Sequence, residues 1–315
     1  MRVFVTGGTG LVGSNVIKVA SEKYGAEVFA SVHSTSSDTL DAEFHQMDIR
    51  DSDRTVDVIR QCRPDVVIHC AATVDIARLE ADHALGWNLM VRATENIVRA
   101  CRAAEARLIF VSSDWVFDGK APPFSETSIP APVCYYGFLK VIGETIVQAS
   151  GIDFAVARVS AVYGRNWAFP YWEPDERVTG FGTLPNWMLT QLRDGHEIVE
   201  WTDHVNVAAN PTLASDCADA MMTIHAKDRQ GVFHCSGREC ATRVELGQMV
   251  ARTFGLDEDL VRAATPEEMT GPDEALPLRT CLDVTATETA LGRTNVPVES
   301  GLRIWQNQLE EDRLL

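Results

Sequence analysis

Basic residues are scarce in this chain: 28 Lys and Arg stand against 45 Asp and Glu among 315 residues, a formal net charge of −17. Nucleic acid and anionic membrane surfaces need a basic footprint, so neither is expected as a partner, and the surplus carboxylates read as solvated surface. The eight cysteines form no CxxC pair and no histidines cluster at zinc spacing. No metal site is therefore expected, and the cysteines read as free thiols in a reducing compartment. No signal peptide precedes the first apolar stretch and no apolar run is long enough to span a bilayer, so the expected location is the cytoplasm. The chain also lacks internal repeats, low-complexity tracts and Pro/Gly/Ser linkers, so its lobes are expected to interweave. Apolar residues are plentiful, at 45%, ample for the core of a soluble α/β enzyme.

The chain opens with an apolar strand, Arg2 to Val5, followed at once by TGGTGLVG and an amphipathic stretch from Leu11. Strand, glycine turn and helix start come in the order that a dinucleotide site requires. Glycines permit a sharp turn and close approach to a pyrophosphate, and the exposed N–H groups of the helix start attract its charge. Gly7, Gly10, Leu11, Val12 and Gly13 are the expected contacts. Further apolar strands at 27–32, 65–70, 107–112 and 154–159 alternate with helical stretches at 52–62, 82–104 and 133–149, which argues for a parallel, doubly wound sheet. Beyond position 162 the alternation stops. Residues 164–183 carry Trp167, Phe169, Tyr171, Trp172 and Phe181 without a period and read as a functional loop. Helices near 186–194, 242–254 and 299–312 follow. The expected fold is α/β, a Rossmann-type doubly wound parallel sheet over 1–162, with a later contribution from about 202–235, and a smaller C-terminal substrate lobe over 163–315.

Tyr136 and Lys140 stand as YxxxK within CYYGFLKVIGE. A phenol, with a free pKa of about 10, is a poor proton donor or acceptor at neutral pH. A cation one helical turn away favours the phenolate and brings that value down. Tyr135, Phe138, Leu139, Ile142, Ile146 and Ala149 share another face of the same helix, so the apolar face is expected to pack while Tyr136, Lys140 and Glu144 face a site.

Together the glycine loop, Asp48-Ile49, HCAA at 69–72, SSDWVFDG at 112–119 and YxxxK resemble the extended short-chain dehydrogenase/reductases. SDWVFDGKAPPFSETSIPAP, NPTLASDCADA and GVFHCSG look most like the dTDP-4-dehydrorhamnose reductase branch, and are also similar to the regulatory β subunit of methionine adenosyltransferase. The resemblance implies a catalytic Ser113, Tyr136 and Lys140: a serine that polarises a carbonyl, a tyrosine that protonates its oxygen, and a lysine that binds the nicotinamide ribose and steadies the phenolate. It also implies adenine contacts at Asp48 and Ile49, ribose and phosphate contacts at Ala71 and Ala72, an accessory Asn88, and helix pairing into a homodimer. In these relatives an acid at the end of the second strand selects NAD. Here FASVHSTSS offers Ser31, His33, Ser34, Thr35 and Ser36, with the first acid at Asp38, so NADP is expected and use of NAD stays open.

Nucleotide-sugar dehydratases of this superfamily place an acid after the Asp, whereas this chain has Asp114-Trp115, which points to simple ketone reduction with Ser113, Asp114, Trp115 and Trp167 lining the substrate site. Leu276-Pro277 replaces the family's Arg-Pro, and the Lys after its Leu-Asp is replaced in 284–287, which weakens pyrophosphate binding. The implied activity is an oxidoreductase acting on a small ketone or a nucleotide sugar, most plausibly a nucleotide-linked 4-ketodeoxysugar. A cofactor-binding regulatory subunit, a reductase of a non-nucleotide ketone and an NAD-dependent epimerase remain alternatives.

Overall fold

The computed structural model describes residues 1–34, 36–169, 183–203, 205–265, 268 and 275–314. Six parallel strands, β1 (Arg2–Thr6), β2 (Glu27–Val32), β3 (Glu43–Gln46), β4 (Val66–His69), β5 (Arg107–Ser113) and β6 (Phe154–Val159), are joined by the strand Gly231–His234. Their order across the sheet is Gly231–His234, β6, β5, β4, β1, β2, β3. The chain thus winds outward in both directions from β1 and β4, and the C-terminal ends at that switch point form the crevice in which such sheets bind ligands.

The inner strands feed two cores because side chains alternate across them. Val3 and Val5 of β1 face a core shared with Val16, Ile17 and Ala20 of α1 (Leu11–Glu22) and with Met221 and Ile224 of helix Ala214–Ala226. Phe4, between them, faces the opposite core with Val58 and Ile59 of α2 (Ser52–Cys62) and Ile97 of helix Ala93–Ala104. Burial on both faces explains why these strands are apolar throughout rather than alternating. The short β3 and the strand Gly231–His234 are not evident from hydrophobic runs, since Glu43 and Gln46 are exposed and the latter strand is half-buried at its start.

A separate core gathers Tyr163, Leu184, Met188, Leu246, Val250, Leu302 and Trp305 from helices Leu184–Arg193, Arg243–Thr253 and Val298–Glu311. Those helices match the expected three within two residues. The stretch expected as one helix over 82–104 runs through a π-helical segment, Trp87–Arg92, where Asn88 is exposed. Among the described residues no helix is long and apolar enough to cross a membrane and no cluster of His, Cys, Asp or Glu could hold a metal.

The expectation of free thiols throughout is corrected at one pair. Cys240 and Cys281, 41 positions apart, are brought to a Cα separation of 5.4 Å and form a disulfide, while the other six cysteines are free. Spacing could not show this, because the pairing depends on how the C-terminal strands meet. Ala241–Thr242 pairs with Ala208–Ala209, which also bridges to Arg279. Closing a loop of this length stabilises a fold by roughly 2–4 kcal/mol. Cys281→Ser, or treatment with a reductant, is expected to lower the melting temperature by several degrees in a thermal scan.

Candidate active site

β5 ends by delivering Ser113 to the crevice, and the chain turns at once into a short 3₁₀ helix, Asp114–Val116, whose Trp115 N–H donates to Ser113 Oγ at 3.2 Å. The helix Tyr135–Gln148 lies against β5. Close approach is possible because residue 137 is glycine: a Cβ there would sit 2.1 Å from the Trp115 carbonyl oxygen. The helix start is capped by Cys134 Sγ and by Glu80, which accept the N–H groups of Gly137 and Tyr135.

The expected division of the helix holds in part: on the apolar face Leu139 is buried and Ile142 and Ile146 pack partly buried beside it. Tyr136, Lys140 and Glu144 are buried against the sheet, whereas Phe138 is exposed and Tyr135 half-buried. The polar face turns inward because each group finds a partner there. Lys140 Nζ donates to the Val111 carbonyl at 2.8 Å and lies 5.3 Å from the Phe110 ring centre. Glu144 accepts from Ser112 at 2.6 Å and forms a two-pronged pair with Arg158, at 2.9 and 2.7 Å. Tyr136 meets the Trp115 ring edge-on, with centres 5.8 Å apart.

Burial also decides the electrostatics. Desolvation pushes the Tyr136 phenol well above its ordinary value; the Ser113 hydroxyl offsets part of this and the Asp114 charge adds to it. Lys140, whose Nζ is 5.8 Å from the Tyr136 ring centre, is itself pushed down to about 8, chiefly by burial. The expected lowering of the phenol by the neighbouring lysine is therefore outweighed by desolvation in this state. The result is a phenol that keeps its proton at neutral pH. His69, at the end of β4, is held near 3 by burial with a contribution from Lys140, and pairs with Thr6 Oγ1 at 2.7 Å.

Asp114 is 3% exposed. Its Oδ1 accepts the Ser113 hydroxyl at 3.0 Å, and its Oδ2 accepts Ser160 at 2.8 Å and Thr280. Burial pushes its carboxyl up to about 6, with the three hydroxyls opposing the rise. Ser160, directly after β6, and Thr280 were not among the expected site residues, because nothing along the chain relates either of them to Asp114. Leu276 packs in the same cluster as Trp115 and Tyr136, beside Val205, so the position that carries arginine in the resembled family forms an apolar wall here.

The glycine loop is shaped for a diphosphate. Gly7 takes a φ of +67°, and a Cβ on Gly13 would come within 2.2 Å of the Gly7 oxygen. Gly10 at the N-cap of α1 supplies no side-chain cap, which suits the N–H groups of Leu11, Val12 and Gly13 to an anion. Ala71 crosses directly beside Gly7, its N–H donating to Thr6 Oγ1 at 3.0 Å, and Ala72 is exposed next to it. His33 and Ser34 are exposed after β2, while Ser31 is buried and Thr35 lies outside the described residues. His33 Nε2 is 4.0 Å from Asp48, and Asn96 anchors the carbonyl of Ile49 at 3.0 Å. Arg50 also meets Asp48, through Nε at 2.9 Å to each carboxylate oxygen, and its guanidinium holds that carboxyl below the usual range. Arg50 was not among the expected contacts; its place directly after Asp48-Ile49 was the signal that could have found it. These residues fit a dinucleotide.

Trp167 is not brought to the Tyr136 cluster, in contrast to the expectation that it lines the substrate site. It is 5% exposed in the core beneath α1, its indole N–H donating to Asn15 at 3.0 Å and its ring flanked by Lys18 and Arg165 at 4.8 and 4.5 Å. The reason is that α1 presents Ser14, Asn15 and Lys18 to the segment, and Asn166 donates to the Thr9 carbonyl at 3.2 Å. Tyr171, Trp172 and Phe181 lie outside the described residues.

A model of the family described as RmlD substrate binding domain matches residues 1–310. The "Probable low-salt glycan biosynthesis reductase Agl14" of Haloferax volcanii is 30% identical over 303 residues, covering 96% of both chains. Methionine adenosyltransferase 2 subunit beta of Mus musculus is 28% identical over 309 residues, covering 96% of this chain and 86% of the relative. Among solved structures, a Bacillus anthracis dTDP-4-dehydrorhamnose reductase in complex with NADP superposes with a TM-score of 0.79 at 20% identity, covering 98% of this chain and 99% of that one.

Proposed function

We propose that this chain, which belongs to the RmlD substrate binding domain family, is an NADP-dependent reductase that converts a carbonyl to an alcohol, acting on the 4-keto group of a nucleotide-linked deoxysugar. The observation that carries this reading is the convergence of Ser113, Tyr136 and Lys140 in one buried cluster at the crevice, beside a glycine cradle. The likeness to a relative named as a glycan biosynthesis reductase supports it.

A nicotinamide cofactor held in the crevice by the glycine loop and Lys140 would supply the hydride. Tyr136, a phenol that burial holds further still from ionisation, gives its proton to the carbonyl oxygen. Ser113 donates a hydrogen bond to that oxygen as charge develops on it. Lys140 lies close enough to the ring to stabilise the phenolate that remains. Trp115 and Leu276 offer an apolar wall suited to a deoxy carbon.

Exposed His33 and Arg50, both beside Asp48, are side chains suited to an adenosine 2′-phosphate, and this supports the preference for NADP. Arg50→Ala is expected to weaken NADPH binding about tenfold while leaving NADH binding within twofold, as measured by titration calorimetry; this corresponds to the loss of a charge-assisted contact. The reading as a whole is tested by following NADPH oxidation with a nucleotide-linked 4-ketodeoxysugar. Turnover supports it. No oxidation with that substrate or a panel of ketones, together with co-purification of a larger synthetase, favours a second reading as a cofactor-binding regulatory subunit, which the likeness to methionine adenosyltransferase 2 subunit beta supports.

A further inference from the structure

Among the described residues Asp114 forms no ion pair; its partners at hydrogen-bond distance are the hydroxyls of Ser113, Ser160 and Thr280. Side chains of the Tyr136 helix near it, Tyr136 and Cys134, are both held neutral by burial. The nearby cations are engaged elsewhere, Lys140 on the Val111 carbonyl and Arg158 on Glu144. A carboxylate buried without a cation is costly, and such a group is retained where its geometry serves a purpose.

We propose that Asp114 is a positioning residue for the reaction, holding the Ser113 hydroxyl while Thr280 holds Asp114, so that seating of the segment around Thr280 sets the alignment of the catalytic serine. This rests on the reductase reading. Ser113 Oγ gives its proton to Asp114 Oδ1 and receives the Trp115 N–H, at 3.0 and 3.2 Å. With the oxygen fixed at two points, only its proton has to swing toward a carbonyl. Released from Asp114, the side chain is free to sample its other staggered rotamers, and misplacement of a catalytic group by about 1 Å lowers rates by up to roughly 10²-fold.

Thr280 connects this arrangement to the far lobe. It is fully buried, its N–H donates to the Ala208 carbonyl at 3.0 Å, and its segment also carries Leu276, which packs with Trp115 and Tyr136. Ser160, the other hydroxyl on Oδ2, accepts the Asn210 N–H at 3.2 Å. Ser160, just after β6, and Thr280, far along the C-terminal part of the chain, thus meet on one carboxylate oxygen, and a shift of either reaches Ser113 through Asp114.

The test compares the full-length wild type with Thr280→Val and Thr280→Ser, using NADPH and a nucleotide-linked 4-ketodeoxysugar. Valine keeps the shape and removes the donor; serine restores the donor. The expected result is a kcat about tenfold lower for Thr280→Val, with KM and NADPH affinity within twofold, and recovery of most of that loss in Thr280→Ser. Unchanged kcat in Thr280→Val, no recovery in Thr280→Ser, or a parallel loss of NADPH affinity would overturn the proposal. Hydrogen exchange at the Trp115 amide, which bonds Ser113, provides a readout that needs no turnover. It should accelerate in Thr280→Val and return toward wild type in Thr280→Ser, and an unchanged rate refutes the coupling. If the wild type turns nothing over, the reductase reading fails and the exchange result alone decides whether Thr280 positions Ser113.

Discussion

Replacing Tyr136 by Phe is expected to lower turnover by about 10²- to 10⁴-fold, the span over which a positioned general acid contributes, with NADPH affinity unchanged. The substitution removes one oxygen and leaves the ring, so the edge contact with Trp115 and the burial of the helix face persist. The fold should therefore survive, and the melting temperature serves as the control. The raised phenol predicts a directional pH profile. A group whose pKa lies above its ordinary value stays protonated through neutrality, so carbonyl reduction should not lose its proton donor until the solution is strongly alkaline. Alcohol oxidation needs the phenolate and should gain as pH rises. Steady-state rates in both directions, with NADPH affinity measured by fluorescence titration, check the assignment. A Phe variant with wild-type kcat would sink it.

The second large effect is expected at the other end of the crevice. In Gly13→Ala, the added methyl would be built 2.2 Å from the Gly7 oxygen and 2.9 Å from the Gly7 carbonyl carbon. Both are backbone atoms, so no rotamer change relieves the clash, and either the turn or the start of α1 must move. Gly7 has little freedom to yield, because it lies at φ +67° with Ala71 directly against it. Overpacking of this kind costs roughly 1–3 kcal/mol in stability. The larger consequence is functional, since the cradle for the diphosphate and the N–H groups of the first helical turn are displaced together. Loss of NADPH binding by at least about 100-fold is expected, consistent with the removal of several charge-assisted hydrogen bonds. Calorimetry would detect it, and wild-type affinity in Gly13→Ala would remove the glycine loop from the cofactor site.

The parts of the fold legible in the sequence are those encoded by local chemistry. β1, the glycine turn and α1 are contiguous, so spacing alone orders them. The strands at 27–32 and 154–159 are apolar on both faces because the sheet is covered on both sides, and they were found with the same bounds. The YxxxK pair is likewise local, one helical turn. What that pair faces was not local. The apolar face was expected to pack and Tyr136 to face a site; Gly137 and Gly143 let the helix press its Tyr136 face onto β5, with a Cβ at 143 only 2.5 Å from the Phe110 ring, and Phe138 is left exposed. Trp167 illustrates the same limit: aromatic character suggested a substrate wall, and hydrogen bonding to Asn15 seats it beneath α1 instead.

By itself, then, the sequence determined the doubly wound α/β architecture, the glycine cradle, and the presence of a serine, a tyrosine and a lysine of the right chemistry, because each depends on residues near one another along the chain. Only the tertiary structure decided that the tyrosine is buried and keeps its proton, that Cys240 and Cys281 bond, and that Asp114 is held by Thr280 from 166 residues away. Burial and hydrogen bonding across such separations depend on how elements pack, and periodicity along the chain carries no record of which elements will meet.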